Sequence, residues 1–350
     1  MNTPLVFRDP SNPILERDTL VGYDALFNPG VISYGGKVIM AARAARDSRV
    51  IASRDSRSNR YLEQICDHIL YESGDGGKTF TYTGRKATGN SPTWLDGFTG
   101  DAADCTVFGP YGTEDLRLCH FEDKVVGLVH VMTHEAYRGG GHAGGRLGLI
   151  ITENFDRFDR YVIGPEIIET DRDPWLLTHE AGRVTLVHRL KPRPGRKIGI
   201  ERPSIVFTRF ESLNELIQAS PDYWHDYIEV VSDHVMLAPR LDWELLRVGA
   251  GPMIEHEAGY ILFYHGVCPE GKAYASSAAL VDKENLKAIA RLEEPLLPAE
   301  EWYETGLRRG DTRNVVFVNG IHQDWDDPKC YHLYYGAADC HVGRATIPDI

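Results

Sequence analysis

The sequence has little positive charge for its length. Its 350 residues include 38 Lys and Arg against 51 Asp and Glu, which leaves a formal net charge of −13. Binding to a nucleic-acid backbone depends on basic surface and counterion release, so this balance argues against a nucleic-acid partner. An anion that binds this chain must therefore do so in a local pocket.

Long apolar runs are also missing. No stretch reaches the roughly 20 apolar residues of a membrane-spanning helix. The first 19 residues, with three prolines and no apolar core, do not form a secretory signal. The six cysteines show no CxxC or other metal-ligand spacing. We therefore expect no membrane partner, no bound metal and a reduced, cytoplasmic compartment.

The common catalytic signatures are absent from the sequence. It has no P-loop, no nucleophile elbow and no His-Glu-x-x-His motif. The glycine stretch 139–145 resembles a phosphate loop only in glycine content, because nothing places it between a strand and a helix. We interpret it, and the basic stretch 191–197, as long loops within one domain that spans residues 1–350. For the basic stretch, a loop that covers an anionic ligand is the alternative.

Short β-rich runs separated by turn residues dominate the sequence. The predicted strands include residues 37–41, 125–131, 146–151, 184–188, 259–264 and 314–318. Helices are predicted at 212–217, which begins with a capping serine, and at 282–290, where apolar residues have near-helical spacing. Because strands do not alternate with long helices, we expect an all-β propeller or sandwich rather than a doubly wound sheet.

One turn favours the propeller over the sandwich. Residues 73–80, Ser-Gly-Asp-Gly-Gly-Lys-Thr-Phe, fit the hairpin turn called an Asp box. Its aspartate can bond backbone amides while its aromatic residue packs into the blade, and its glycines supply positive φ angles. Residues 152–155 and 208–211 are degenerate candidates for the same turn. The length fits a single propeller of few blades.

Polar residues beside Gly or Pro recur along the chain, as expected where loops from many strands converge on one cleft. In the run Glu114-Asp115-Leu116-Arg117, strand alternation puts Asp115 and Arg117 on one face. They form either a fixed ion pair or an acid tuned by an arginine.

Two further sets suit ligand binding. Asn28, Arg43 and Asp339 lie at predicted strand ends, where such side chains bind sugar hydroxyls. Four cationic or titratable residues near strand ends and glycine-rich turns would together form an anion pocket: His188, Arg189, Arg247 and His265.

In this order, the motifs resemble glycoside hydrolase family 130, the mannoside phosphorylases and related β-mannosidases. The similarity spans nearly the whole chain, from residue 12 to Gly336-Ala337-Ala338-Asp339. The resemblance implies a five-bladed β-propeller whose central cleft binds a β-mannoside and cleaves it with inversion. Inorganic phosphate, or water in some subgroups, is then the co-substrate beside an oligosaccharide, without a cofactor.

The resemblance also implies roles for single residues. Asp115 matches the catalytic aspartate of the Glu-Asp-Pro-Arg motif, a general acid that passes its proton through a hydroxyl of the mannosyl ring. Substrate-binding roles fall to Asn28, Arg43, Arg117 and Asp339, and phosphate-binding roles to His188, Arg189, Arg247 and His265. Leu116 stands where the family has Pro, Arg247 where it has Lys, and residues 171–175 depart from its Lys-Asp stretch.

Three functions follow as hypotheses. The first is an inverting phosphorylase. The second is an inverting hydrolase, whose carboxylate base would come from Glu135, Glu180, Glu255 or Glu257. The third is a propeller that binds glycans without catalysis; a furanosidase of another five-bladed family is a further alternative. The acceptor sugar, the linkage and a homo-oligomeric state stay open, and we expect the loop 96–112 to shape the acceptor subsite.

Overall fold

The computed structural model describes residues 4–46, 49–52, 59–62, 65–88, 112–131, 146–164, 170–191, 198–271, 273–308 and 311–350. These residues form five antiparallel sheets of four strands each. The innermost strand of every sheet contacts the innermost strands of the two neighbouring sheets, so that the five sheets close into a ring. The all-β, five-bladed propeller expected from the sequence is confirmed.

The blades are numbered in chain order, and their strands are given from the axis outward. Blade one contains β2 (Ala25–Tyr34), β3 (Lys37–Arg46), β6 (Ile65–Ser73) and β7 (Thr81–Thr88). Blade two contains β8 (Thr113–Phe121), β9 (Lys124–Val131), β10 (Arg146–Thr152) and β11 (Asp159–Ile163). Blade three contains β12 (Thr170–Thr178), β13 (Val184–Lys191), β14 (Ser204–Phe210) and β15 (Val235–Leu237).

Blade four contains β16 (Arg247–His256), β17 (Gly259–Val267), β18 (Tyr274–Val281) and β19 (Ala288–Arg291). Blade five contains β20 (Val316–Gln323), β21 (Tyr331–Ala337), β22 (His341–Ile347) and β1 (Phe7–Arg8). A hairpin of β4 (Arg49–Ala52) and β5 (Asn59–Leu62) is inserted into blade one. The helices are α1 (Leu213–Gln218), α2 (Pro221–Glu229) and α3 (Trp302–Thr305), with 3-10 turns at Glu180–Gly182, Val231–His234 and Asp242–Glu244. None of the helices in the described residues has the length and hydropathy to span a bilayer.

Both faces of a blade are buried against neighbouring blades, which explains why the strands are apolar at successive positions. Successive side chains of a strand point to opposite faces. In β13, Leu186 therefore packs with blade two and Val187 with blade four. Burial on two sides stabilises each strand through its neighbours.

The ring closes by joining the two ends of the chain in blade five. Phe7 and Arg8 pair with Thr346 and Ala345 of β22. The Arg8 guanidinium also lies 2.8 Å from the Glu304 carboxylate, which is buried and accepts a hydrogen bond from Tyr335 Oη. Blade four repeats this unit with a buried Glu244, which Tyr264 and Arg291 contact. The ring is thus closed both by strand pairing and by the ion pair between Arg8 and Glu304.

The Asp box is confirmed. Asp75 Oδ1 accepts hydrogen bonds from the amides of Lys78 and Thr79 at 3.1 and 3.0 Å. Phe80 packs edge-on against Tyr334. In blade two, the Thr152 hydroxyl likewise accepts from the Phe155 amide. Both turns join the third strand of a blade to the fourth.

The helix predicted at 212–217 is confirmed as α1, whose first turn is capped by the Ser212 hydroxyl. The helix predicted at 282–290 is wrong. Asp282 Oδ1 accepts from the amides of Glu284 and Asn285, which closes a turn before β19. This turn occupies the position in blade four that the Asp box has in blade one. Hydrogen bonds from the backbone to the Asp282 side chain compete with helix formation and outweigh the helical spacing of the apolar residues. The helix α2 was not predicted.

Five of the six predicted strands lie inside β3, β9, β10, β13 and β17. The sixth begins two residues later than predicted, at Val316. Asn314 has a left-handed backbone, with φ 55°, which is incompatible with an extended strand.

Replacing Glu304 by Gln should destabilise the propeller by about 3 kcal/mol, because the partly buried Arg8 guanidinium would lose its buried carboxylate partner. Urea unfolding followed by circular dichroism measures the effect. The same change at Glu72, whose pair with Lys37 is exposed, should cost at most about 1 kcal/mol. Equal losses at the two positions would contradict the role given to the closure.

Candidate active site

Each innermost strand is interrupted by a bulge at the same height. The register shifts between Phe27 and Gly30, Glu114 and Arg117, Arg172 and Trp175, Ala250 and Met253, and Val318 and Gly320. A bulge takes residues out of the ladder and re-aims their side chains. Asn28, Asp115 and Asp173 occupy these bulges with left-handed φ angles of 43°, 58° and 52°. We call the end of the ring where the innermost strands begin the site face, since all five bulges lie toward it.

The bulges of blades five, one and two are joined by one amide. Asn319 Nδ2 donates hydrogen bonds of 3.0 Å to the backbone oxygens of Asn28 and Leu116. Gly30 lies so close to the Leu116 carbonyl that a Cβ at this position would clash with it. The three strands can therefore meet at the axis only with this glycine in place.

Arg117 joins blades two, three and four. It is 1% exposed, and its guanidinium donates to the backbone oxygens of Asp115 and Ala250 at 3.3 and 3.0 Å. It also lies 3.5 Å from Asp173 Oδ1. Because the bulge breaks strand alternation, Arg117 reaches across the axis while the Asp115 carboxylate turns toward blade one. The expectation that these two side chains share a strand face is therefore wrong.

The structure brings Asn28 and Arg43, two of the predicted sugar-binding residues, together with Asp115. Asp115 Oδ1 accepts from Asn28 Nδ2 at 2.8 Å and from Arg43 Nη1 at 3.0 Å. Burial raises the pKa of Asp115, but the charges of Arg43 and Arg117 and these hydrogen bonds outweigh it and bring the pKa below its ordinary value. Asp115 is therefore an ionised carboxylate in the ligand-free protein at neutral pH.

Asp173 forms a second charged centre, which the sequence interpretation did not include among the site residues. Arg189 Nη1 lies 2.6 Å from Asp173 Oδ2, and His265 Nε2 lies 3.6 Å from the same oxygen. Gly249 leaves the space for this contact, because a Cβ there would clash with both Asp173 and His265. Burial opposes ionisation of Asp173, but Arg189, His265 and Arg117 bring its pKa below the ordinary value.

His265 is buried and neutral. Its ring packs on Phe317 with centroids 4.1 Å apart, and neither ring nitrogen has a partner among the described residues. Burial, opposed by Asp173 and reinforced by Arg189, lowers the pKa of His265 to about 3. The ring can therefore offer one donor and one acceptor to a ligand.

Arg189 and Arg247 lie close enough to repel each other. Burial lowers the pKa of Arg189 to about 10. The charge of Asp173 opposes this shift, and the charges of Arg247 and Arg172 add to it. Arg247 donates to Tyr274 Oη and lies over the Tyr274 ring. Its buried Nε has no partner within the described residues.

Positive charge exceeds negative charge around Asp173. Among the described residues, three guanidinium groups, of Arg117, Arg189 and Arg247, lie near this one carboxylate. The chain as a whole has a net charge of −13. A local cationic excess in a site of low polarity attracts an anion.

Two predicted site residues, Asp339 and His188, are placed by contacts other than those above. Asp339 is half-buried in the turn between β21 and β22 on the site face, and the carbonyl of the next residue, Cys340, accepts from Leu26. His188 points to the face of β13 opposite Arg189, where its Nε2 lies 3.1 Å from Tyr227 Oη. The geometry thus separates His188 from the other three predicted phosphate ligands.

The sequence interpretation missed Asp173, Arg172 and Tyr274. A signal for Asp173 was present: a polar or small residue precedes proline in blades one, three and four, at Asn28-Pro29, Asp173-Pro174 and Gly251-Pro252. Glu180, Glu255 and Glu257 are exposed at the opposite face, in or beside the turns that follow innermost strands. Glu135 and residues 96–111 of the predicted acceptor loop lie outside the described residues.

One cluster in the described part of the chain has the donors of a metal site. Asp324, Cys330 and His332 offer ligand atoms within 4.8 Å of one another, at the opposite face of blade five. The Arg344 guanidinium lies 3.3 Å from His332 Nδ1 and supplies a positive charge there already. The cluster is separate from the site face.

Comparison of the sequence with known proteins gives one family and two relatives. The family model for glycoside hydrolase family 130, described as beta-1,4-mannooligosaccharide phosphorylase, matches residues 196–350. A beta-1,2-mannobiose phosphorylase of Thermoanaerobacter sp. is 32% identical over 238 residues, which cover 57% of this chain and 76% of that protein. A beta-1,4-mannooligosaccharide phosphorylase of Ruminococcus albus is 27% identical over 360 residues, covering 99% and 90%.

A solved structure has the same fold. The beta-1,2-mannobiose phosphorylase from Listeria innocua, in complex with beta-1,2-mannobiose, superposes with a TM-score of 0.71. The superposition covers 99% of this chain and 97% of that one at 20% sequence identity. This likeness supports the propeller fold.

We expect the site face to bind inorganic phosphate, and Arg247→Gln to weaken this binding about 10- to 100-fold, as lost bonds to charged groups do. Isothermal titration calorimetry with sodium phosphate at constant ionic strength measures the change. Arg209→Gln is the matched control, because Arg209 is exposed at the opposite face. Equal phosphate affinity of the Arg247→Gln variant and the wild type would contradict the assignment.

Proposed function

The chain belongs to glycoside hydrolase family 130, and we propose that it is a glycoside phosphorylase that cleaves β-mannosides with inorganic phosphate and releases mannose 1-phosphate. The named activities of the relatives from Thermoanaerobacter and Ruminococcus support this proposal. The observation that carries it is the cluster of Arg117, Arg189 and Arg247 around Asp173, beside Asp115. A phosphate anion fits such a cationic cluster.

In the proposed complex, the mannosyl unit lies over Asn28, Arg43 and Asp339, and the phosphate lies against Arg189, Arg247 and His265. Tyr274 orients Arg247 from the side. Arg117 belongs to the framework beneath both, since its donors are engaged with backbone oxygens and Asp173. The role predicted for His188 stays a prediction, and the present geometry gives it no part in this complex.

The proposed reaction is one displacement with inversion. A phosphate oxygen attacks the anomeric carbon from the face opposite the leaving sugar, and the bond to the glycosidic oxygen breaks. That oxygen takes a proton from Asp115, relayed through a hydroxyl of the mannosyl ring. Preorganised cations stabilise the charge that moves from phosphate to the sugar.

The proton on Asp115 must arrive with the substrates. In the free protein Asp115 is ionised, because Arg43 and Arg117 hold its pKa down. A bound phosphate adds negative charge to the same network and so raises the pKa of Asp115. We propose that the monoanion of phosphate enters and that its proton moves to Asp115 before glycosidic cleavage.

Hydrolysis is less well supported by the site. An inverting hydrolase needs a carboxylate base for water, and Glu114 and Asp173 are held in ion pairs by arginines. Three of the glutamates considered as bases are exposed at the opposite face. Water as nucleophile would also leave the cationic excess without a purpose.

Asp115→Asn should lower kcat by about 10² to 10⁴-fold, the range for loss of a general acid, with phosphate binding retained. Wild-type protein is incubated with β-1,2- and β-1,4-mannobiose and mannosyl-glucose, with and without phosphate. Proton NMR should detect α-mannose 1-phosphate only when phosphate is present.

The matched control is Asp156→Asn, since Asp156 is exposed at the opposite face and should leave kcat unchanged. Equal cleavage without phosphate would refute phosphorolysis. A β-configured product would refute inversion, and an Asp115→Asn variant with wild-type kcat would refute the proposed acid.

The pH profile checks the source of the proton. With the pKa of free Asp115 depressed, kcat/KM for phosphate should follow the phosphate monoanion. It should be flat below the second ionisation of phosphate and fall about tenfold per pH unit above it. Initial rates at constant ionic strength from pH 5 to 9 measure this; a kcat/KM that rises through neutrality would contradict it.

A further inference from the structure

The bulge that carries Asp115 lacks the proline found in three of its counterparts. Pro29, Pro174 and Pro252 occupy the second position of the bulges in blades one, three and four. Proline fixes its own φ and has no amide hydrogen to satisfy. Leu116 at the equivalent position in blade two brings an N–H group into a fully buried backbone. A buried donor of this kind needs a partner.

His68 supplies that partner. Its Nε2 lies 3.1 Å from the Leu116 amide nitrogen, and its Nδ1 lies 2.7 Å from Thr88 Oγ1 and 3.1 Å from Thr113 Oγ1. The amide can only donate, so Nε2 is the acceptor and Nδ1 carries the hydrogen. The two threonine hydroxyls are buried with the ring and fix its orientation.

The backbone at Asp115 needs such support. A left-handed conformation costs free energy for any residue other than glycine, and it persists only where surrounding contacts enforce it. At Asn28 and Asp173, with the same conformation, the following proline restricts the backbone. At Asp115, the bond from Leu116 to His68 fixes the next peptide instead. His68 also pairs across the sheet with Arg43, the main cationic partner of Asp115.

We infer that His68 is a positioning residue, which holds the Asp115 carboxylate in place for proton transfer by accepting the hydrogen bond of the Leu116 amide. The inference rests on the proposed function for its catalytic consequence. Proline restricts the backbone in the bulges of blades one, three and four. In blade two, a buried histidine from the third strand of blade one has this role.

A crossed set of variants tests this inference. Leu116→Ala and Leu116→Pro both remove the leucine side chain, but only the second removes the N–H group. Each is made with His68 retained and with His68→Ala. A proline ring carbon replaces the amide hydrogen and would collide with His68 Nε2, so Leu116→Pro should be less active than Leu116→Ala when His68 is present.

The order should reverse when His68 is absent. His68→Ala with Leu116→Ala leaves the amide unpaired, whereas His68→Ala with Leu116→Pro has no amide to pair and has room for the ring. We expect the proline double variant to have at least about tenfold higher kcat, within the range that misplacement of a catalytic group costs. KM for phosphate should change little, since the phosphate ligands belong to blades three and four.

The same order of kcat in both backgrounds would overturn the inference. If the variants with His68→Ala do not fold, His68→Gln replaces them: it keeps an acceptor and should retain kcat within about tenfold of wild type, and a loss beyond 100-fold would overturn it. If the wild type shows no phosphorolysis, the proposed function fails by itself. The thermal unfolding temperatures of the four variants are then compared instead. They report the bond between His68 and Leu116 without any catalysis, and the order of the Pro and Ala variants should again reverse when His68 is absent.

Discussion

Pairing of buried polar groups at the propeller axis is the constraint on which the rest of the structure depends. Five strands meet there with bulges, and buried side chains donate hydrogen bonds to backbone oxygens of these bulges. Asn319 binds carbonyls of blades one and two, and Arg117 binds blades two, three and four. An unpaired polar group at such a site would cost several kcal/mol. Two side chains thus set how closely, and at what height, all five blades approach the axis.

This framework also determines the electrostatics of the site face. Because Arg117 is fixed between Asp115 and Asp173, its charge lowers the pKa of both carboxylates. Asp173 in turn holds Arg189, which would otherwise face Arg172 and Arg247 without compensation. An acidic protein thereby maintains a local positive potential, and the low polarity of the interior strengthens it. The positions of Arg189 and Arg247 are set by their contacts with Asp173 and Tyr274 and need no ligand to form.

Sequence patterns predict the strands and the Asp box well, because alternation, β-branched runs and turn residues act locally. The predicted cleft residues Asn28, Arg43, Asp115, Arg189, Arg247 and His265 do lie in one network. The predictions that failed concern contacts that the sequence pattern does not show. Alternation cannot foresee a bulge that turns Asp115 away from Arg117, and the apolar spacing after Asp282 cannot show the side-chain bonds that form a turn. Asp173 was missed because its partners come from three other strands.

The bond between Asn319 and Asn28 links residues 291 positions apart. During synthesis, blades one to four are complete before Asn319 and the closing pair of β1 with β22 exist. Until that point the axis lacks the amide that fixes the bulges of Asn28 and Leu116, and contacts of such long range form late in folding. We therefore expect a chain that lacks blade five to contain the site residues without their arrangement. Synthesis of blade five is then the step at which the site face becomes ordered.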